Sequence, residues 1–173
     1  MRTALRVLGL FVFVALASCG GSKEVNQVKS LLNGLEHAEV TFYQLKEEPE
    51  GPHEPTPGPK LHRWDIENET VITDPEMIAS MRAVLTDPST YGTMEAACFE
   101  PGMAIRFKSG EQYIDFVICL HCLQIEAINS AGKLCGHWIL SNAGISKLEN
   151  IYTALHKDIG SAPSVASPST PTK

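Results

Sequence analysis

The chain predicts an α+β fold: a single small domain in which an antiparallel sheet carries two main helices packed on one face. Three observations lead there. Between about residues 37 and 158, stretches of period-two apolar alternation outnumber helical ones. Two segments carry apolar residues at helical spacing, one mid-chain and one at the end of the domain. Runs such as Met103 to Ile118 read as strands folded back on themselves about Gly-containing turns, which makes neighbouring strands antiparallel.

Taken in order, Ala38–Leu45 and Leu61–Ile66 suit strands flanking a proline-rich loop, residues 46–60. That stretch sets five prolines and two glycines among charges between Leu45 and Lys60, so it cannot hold a helix or a central strand. "TDPEMIASMRAVLTD" predicts a helix. Thr73 and Glu76 have capping-box spacing, or Asp74 caps with Pro75 at the first position. Met77, Ile78, Met81, Val84 and Leu85 share one face. "MAIRFKSGEQYIDFVI" predicts a hairpin turning at Ser109-Gly110, better explained as a turn than as part of a nucleophile elbow. "LQIEAINSAGKLCGHWIL" predicts a strand, a turn at Gly132 and a return strand. The closing helix has Ile145, Leu148, Tyr152 and Leu155 on one face. Residues 159–173 have the Ser/Pro/Thr composition of a disordered tail, and residues 19–36 read as a tether or, from the helical spacing in "VNQVKSLLNGLEH", as the start of a helix.

The first residues speak to compartment. Arg2 and Arg6 precede an apolar run from Val7 to Leu16, followed by small residues. This is the layout of a secretory signal peptide over residues 1–18, too short to stay in a bilayer as a stable span. Leu16-Ala17-Ser18-Cys19 resembles the lipobox of bacterial lipoproteins, in which cleavage precedes the cysteine. The resemblance implies that Cys19 is the lipidated first residue, held in the bilayer by more than one acyl chain. It implies localisation in the bacterial cell envelope. With Gly20 rather than Asp next, it implies the outer membrane, facing periplasm or surface, if the cell is Gram-negative. Cleavage there leaves 155 of the 173 residues and takes Lys plus Arg from 14 to 12 against 20 Asp plus Glu, a net charge of −8. Such a surface argues against nucleic acid, which needs clustered basic side chains, and leaves room for an envelope protein partner.

Four further cysteines remain: Cys98, Cys119, Cys122 and Cys135. An even number in an exported chain points to two disulfides. Alternation puts Cys119 and Cys122 on opposite faces of a straight strand, so the chain is expected to bend at Leu120-His121. A two-residue hairpin does not fit there, since neither residue readily takes positive φ. Two alternatives compete with a structural role. A thiol-redox Cys-x-x-Cys belongs at a helix N-terminus, whereas "LQIEAI" after Cys122 is strand-like. A zinc-like metal site could draw on Cys98, Cys119, His121, Cys122, Cys135 and His137. Haem attachment is excluded, because Leu123 follows the motif.

"CFEPGMAIRF" and "IDFVICLHCLQI" resemble a group of bacterial lipoprotein-like domains with a Cys-Phe-x-Pro segment, a hairpin and then Ile-Cys-Phe-x-Cys. Cys98, Phe99, Pro101, Asp115, Ile118, Cys119 and Cys122 match. Gly102-Met103 stands where the pattern has Arg-His, and Leu120 where it has Phe. The resemblance implies a shared fold and carries no activity. No catalytic set stands out. His37, His53, His62 and His156 have no local partners and are expected to face solvent, Asp115 reads as a partly buried structural carboxylate, and Trp64 and Trp138 as core or rim residues. The expectation is therefore a membrane-anchored, non-catalytic binding or accessory module with a cysteine-stabilised core and no cofactor. Zinc binding or thiol chemistry at the Cys-x-x-C is the alternative.

Overall fold

The computed structural model describes residues 21–46, 57–93 and 98–159. The leader, Cys19, His53, most of the proline-rich loop and the tail from residue 160 lie outside the described residues. The rest forms one curled antiparallel sheet with three helices, the α+β architecture expected.

The strands are β1 (Glu39–Leu45), β2 (Lys60–Leu61), β3 (Trp64–Ile72), β4 (Met103–Ser109), β5 (Gln112–Cys119), β6 (Gln124–Asn129) and β7 (Leu134–Ile139). Their spatial order is β2-β3-β1-β4-β5-β6-β7, every pairing antiparallel. From β4 onward the sheet is a meander of hairpins. Ser109 pairs with Gln112, so Gly110-Glu111 makes the first turn, with Gly110 at φ +60°. A side chain there would be strained.

The helices are α1 (Gly21–Leu32), α2 (Pro75–Leu85) and α3 (Asn142–Ile159). Register shows how the sheet receives them. Phe42 stands opposite Ile105, Ile105 opposite Phe116, and Phe116 opposite Ala127. This row of one face lies in the main core with Met81 and Leu85 of α2 and Leu148 of α3. Phe107 meets Phe116 edge to face at 6.0 Å. All three helices therefore cover the same face. Among the described residues no helix is long and apolar enough to cross a membrane.

Three expectations change. Residues 19–36 were expected as a tether or the start of a helix; Gly21–Leu32 is helical and buries Val25, Val28 and Leu32 in the core. The i, i+3, i+7 spacing of those three residues gives α1 an apolar stripe, so the folded domain begins near Gly21 rather than His37, and the face carries three helices rather than two. The expected strand Leu61–Ile66 is two strands, β2 and β3, turned at His62-Arg63 with His62 at φ +54°. The expected bend after Cys119 is a complete hairpin: Cys119 pairs with Gln124, and Leu120 to Leu123 form a four-residue loop closed by Leu123 at φ +59°.

Local chemistry explains the helix ends. Asp74 caps α2, accepting the Glu76 amide at 3.0 Å, with Pro75 at the first position; this is the second of the two capping schemes. A single 3-10 turn, Pro88–Thr90, is capped by Asp87, which accepts the Ser89 amide at 2.8 Å. Asp87 also accepts from Lys147 Nζ of α3 at 2.6 Å. The Lys147 hydrogen bond and then those from Ser89 hold its carboxyl at about 2. Gly144 lets α3 approach this turn, since a Cβ there would lie 2.3 Å from the Thr90 carbonyl oxygen.

Candidate functional site

Among the described residues the opposite face of the sheet carries no helix, and it has a different composition. Alternation along β4 and β5 brings Arg106 directly opposite Asp115 there. Arg106 donates from Nε to Asp115 Oδ1 at 2.7 Å and from Nη2 to Oδ2 at 2.8 Å, a two-pronged pairing that suits the planar guanidinium. His62 Nε2 also sits 2.7 Å from Oδ2. The Asp115 side chain has no solvent exposure, against 18% for His62 and 21% for Arg106. Arg106 lies over the rings of Tyr113 at 4.0 Å and Tyr43 at 5.3 Å. Burial works against its charge, but the hydrogen bonds and charge of Asp115 outweigh that and raise its pKa.

His62 reaches Asp115 because the β2–β3 turn puts it in the left-handed region, a conformation uncommon for a residue with a side chain. Beside it opens a cavity of about 270 Å³ lined by His62, Arg63, Trp64, Glu126, Ile128 and Leu134, among others. Arg63 stacks over Trp64 at 4.6 Å. Trp64 and Trp138 are both buried, as expected.

A second cluster lies at the tip of the β5–β6 hairpin. Cys119 and Cys122 are joined by a disulfide, both fully buried. Cys98 is a free, exposed thiol whose Sγ lies 3.1 Å from Cys122 Sγ. Two backbone amides point at these sulfurs: Cys122 N donates to Cys119 Sγ at 2.9 Å and Glu100 N to Cys122 Sγ at 3.3 Å. The segment from Cys98 to Pro101 reaches the helix-free face through Phe99. Its ring packs on Trp64 at 5.8 Å and His137 at 6.4 Å, within a small apolar cluster with Tyr43, Leu61 and Val117.

Three of the four candidate cysteines are thus brought together, and Cys135 is not. It is a free thiol near the start of β7, donating to the Lys133 carbonyl oxygen at 3.4 Å. The Cys119–Gln124–Ile139 row is four residues away along that strand, about 13 Å at strand rise. The structure therefore holds one disulfide where the count pointed to two, because register separates Cys135 from the rest. Of the six candidate metal ligands, His121 is exposed on the loop and His137 packs against Phe99. Among the described residues no group of three or more His, Cys, Asp or Glu is arranged to hold a metal ion.

Two histidines depart from expectation. His62 is part of the Asp115 cluster, and His156 is half-buried, with Nε2 2.8 Å from Gln44 Oε1 and its ring stacked on Tyr152 at 3.9 Å. Their partners lie 53 and 112 residues away in sequence, so no local pattern could announce them. Arg106–Asp115 was nearly within reach: the turn falls at Gly110-Glu111, one residue beyond the expected Ser109-Gly110, and only that register sets the two residues opposite each other. Compared with known proteins, the chain matches no protein-family model, no curated protein and no solved structure.

Proposed function

We propose that the chain is a lipid-anchored protein of the bacterial envelope whose domain is a non-catalytic binding module, engaging an envelope protein partner through the helix-free face of its sheet. One observation carries the binding surface. His62, which pairs with the buried Asp115, lines an open cavity together with Trp64, Glu126, Ile128 and Leu134, the last of which is 51% exposed. A cavity of that size takes one side chain of a partner, and its lining offers both apolar and hydrogen-bonding contacts. The anchor reading rests on the leader and Leu16-Ala17-Ser18-Cys19, with acyl chains supplying affinity for the bilayer.

Two experiments test it. Cys19→Ser should move the protein from the membrane to the soluble fraction and end fatty-acid labelling; persistent labelling refutes the anchor. A photo-crosslinking residue at Leu134 should give one discrete adduct in intact cells, whereas the same residue at the exposed Glu149 of α3 should give none. Equal labelling at both, or none at Leu134, refutes the binding face. The approach of Cys98 to a disulfide favours a second, thiol-based reading.

A further inference from the structure

We propose that Cys98, Cys119 and Cys122 form an intramolecular thiol–disulfide exchange site in which Cys98 and Cys119 compete for Cys122. It requires neither the anchor nor the binding face. The geometry supplies each part of an exchange. Cys98 offers a solvent-exposed thiol, and its Sγ lies 3.1 Å from Cys122 Sγ with the Cys119–Cys122 bond already in place.

Exchange proceeds by attack of a thiolate on one sulfur of a disulfide. Here Cys98 loses its proton to water and its thiolate attacks Cys122 Sγ. A Cys98–Cys122 bond forms as the Cys119–Cys122 bond breaks, and the electron pair leaves on Cys119 Sγ, which then takes a proton. One disulfide and one thiol stand on each side, so no external oxidant or reductant is needed. The Cys122 amide, 2.9 Å from Cys119 Sγ, is placed to stabilise the departing thiolate, since a hydrogen bond to the charged form favours it. The Glu100 amide sits at the central sulfur, 3.3 Å away, and joins the attacking segment to it.

The fold explains the convergence. Met103 pairs with Ile118, so the β4–β5 hairpin carries the segment just before β4 to the end of β5, where Cys119 begins the loop. Phe99 then pins that segment on Trp64 and His137. The two isomers differ in what they present. With Cys119–Cys122 linked, the free thiol is the exposed Cys98. With Cys98–Cys122 linked, it is Cys119, which has no solvent exposure. The site therefore exchanges a presented thiol for a hidden one and ties the Cys98–Pro101 segment to the hairpin.

The test is disulfide mapping of the full-length protein, solubilised from whole cells in detergent without reductant. The sample is quenched in acid, unfolded in acid, alkylated and digested, with Cys135→Ser as a parallel sample. The wild type should contain both Cys119–Cys122 and Cys98–Cys122, each at about a tenth or more of the total, since close competing thiols equilibrate. Removal of Cys135 should leave that map unchanged, and Cys98→Ser should collapse it to Cys119–Cys122 alone. A single linkage of either kind in the wild type, or any linkage through Cys135, overturns the proposal. The wild-type map decides the matter even if a variant fails to fold.

Discussion

The two faces of one sheet solve different problems. The helix-covered face packs Phe42, Ile105, Phe107 and Phe116 against three helices, and removal of apolar area from water pays for order there. The helix-free face has a smaller apolar cluster and gives much of its area to a buried carboxylate, its Arg106 and His62 partners and a sulfur cluster. A buried ion pair is weak ground for stability, because desolvation can cancel the attraction. The main stabilisation therefore resides on one side of β1, β4 and β5, and the buried polar and sulfur groups on the other. The only two non-glycine residues with positive φ among those described, His62 and Leu123, sit beside the two polar clusters. Strain of that kind gathers where a site must be shaped.

The largest effect expected belongs to the helix-covered face. Phe116→Ala empties a site with no exposure and should cost about 3–5 kcal/mol in urea denaturation. A loss below about 1 kcal/mol would show that this face is not where stability lies. Asp115→Ala comes next. It strands Arg106 and His62, and partial exposure of both limits the cost to about 2–3 kcal/mol. Replacing Asp115 and Arg106 together with apolar residues should recover much of that loss. A double variant as unstable as the single one would break the view that this face is not built for stability.

A smaller effect tests a stitch at the helix ends. Asp87→Asn keeps the cap on the 3-10 turn and removes the charge that meets Lys147; both side chains are over a third exposed, so it should cost at most about 1 kcal/mol. The carboxyl titrates at about 2 in the fold against a usual 3.8. The unfolded chain thus binds the proton first, and the contribution is present above about pH 4 and lost as pH falls toward 2. Acid unfolding of the variant should accordingly be flatter in that window. The smallest effect is expected at His121, exposed on the hairpin loop. His121→Ala should stay within about 0.5 kcal/mol, and loss of a stoichiometric metal on that change would instead reopen the zinc reading.

Much of the fold was legible because it is local. The β4–β5 hairpin shows in the alternation of Met103, Ile105 and Phe107 about Gly110, and α2 in Asp74-Pro75 with Met81 and Leu85 inside. The β2–β3 turn was not legible, because His62 adopts a conformation that no turn-forming residue advertises. The same holds for the loop after Cys119, where the positive φ falls on Leu123 rather than on Leu120 or His121. Half of the candidate site could be read. The Cys-x-x-Cys was plain, but the approach of Cys98 depends on where the segment before β4 settles, and His62 meets Asp115 only after β2 and β3 fold over the sheet.

The early start of α1 bears on how the molecule would meet its surroundings. Its first residue, Gly21, stands two positions after Cys19, a chain length that spans at most about 7 Å. Val25, Val28 and Leu32 of α1 are packed into the core, so the folded domain begins within a few residues of Cys19. If Cys19 is acylated as proposed, the domain would be held close to the bilayer. A partner would then have to bring its complementary surface within one domain's height of the lipid.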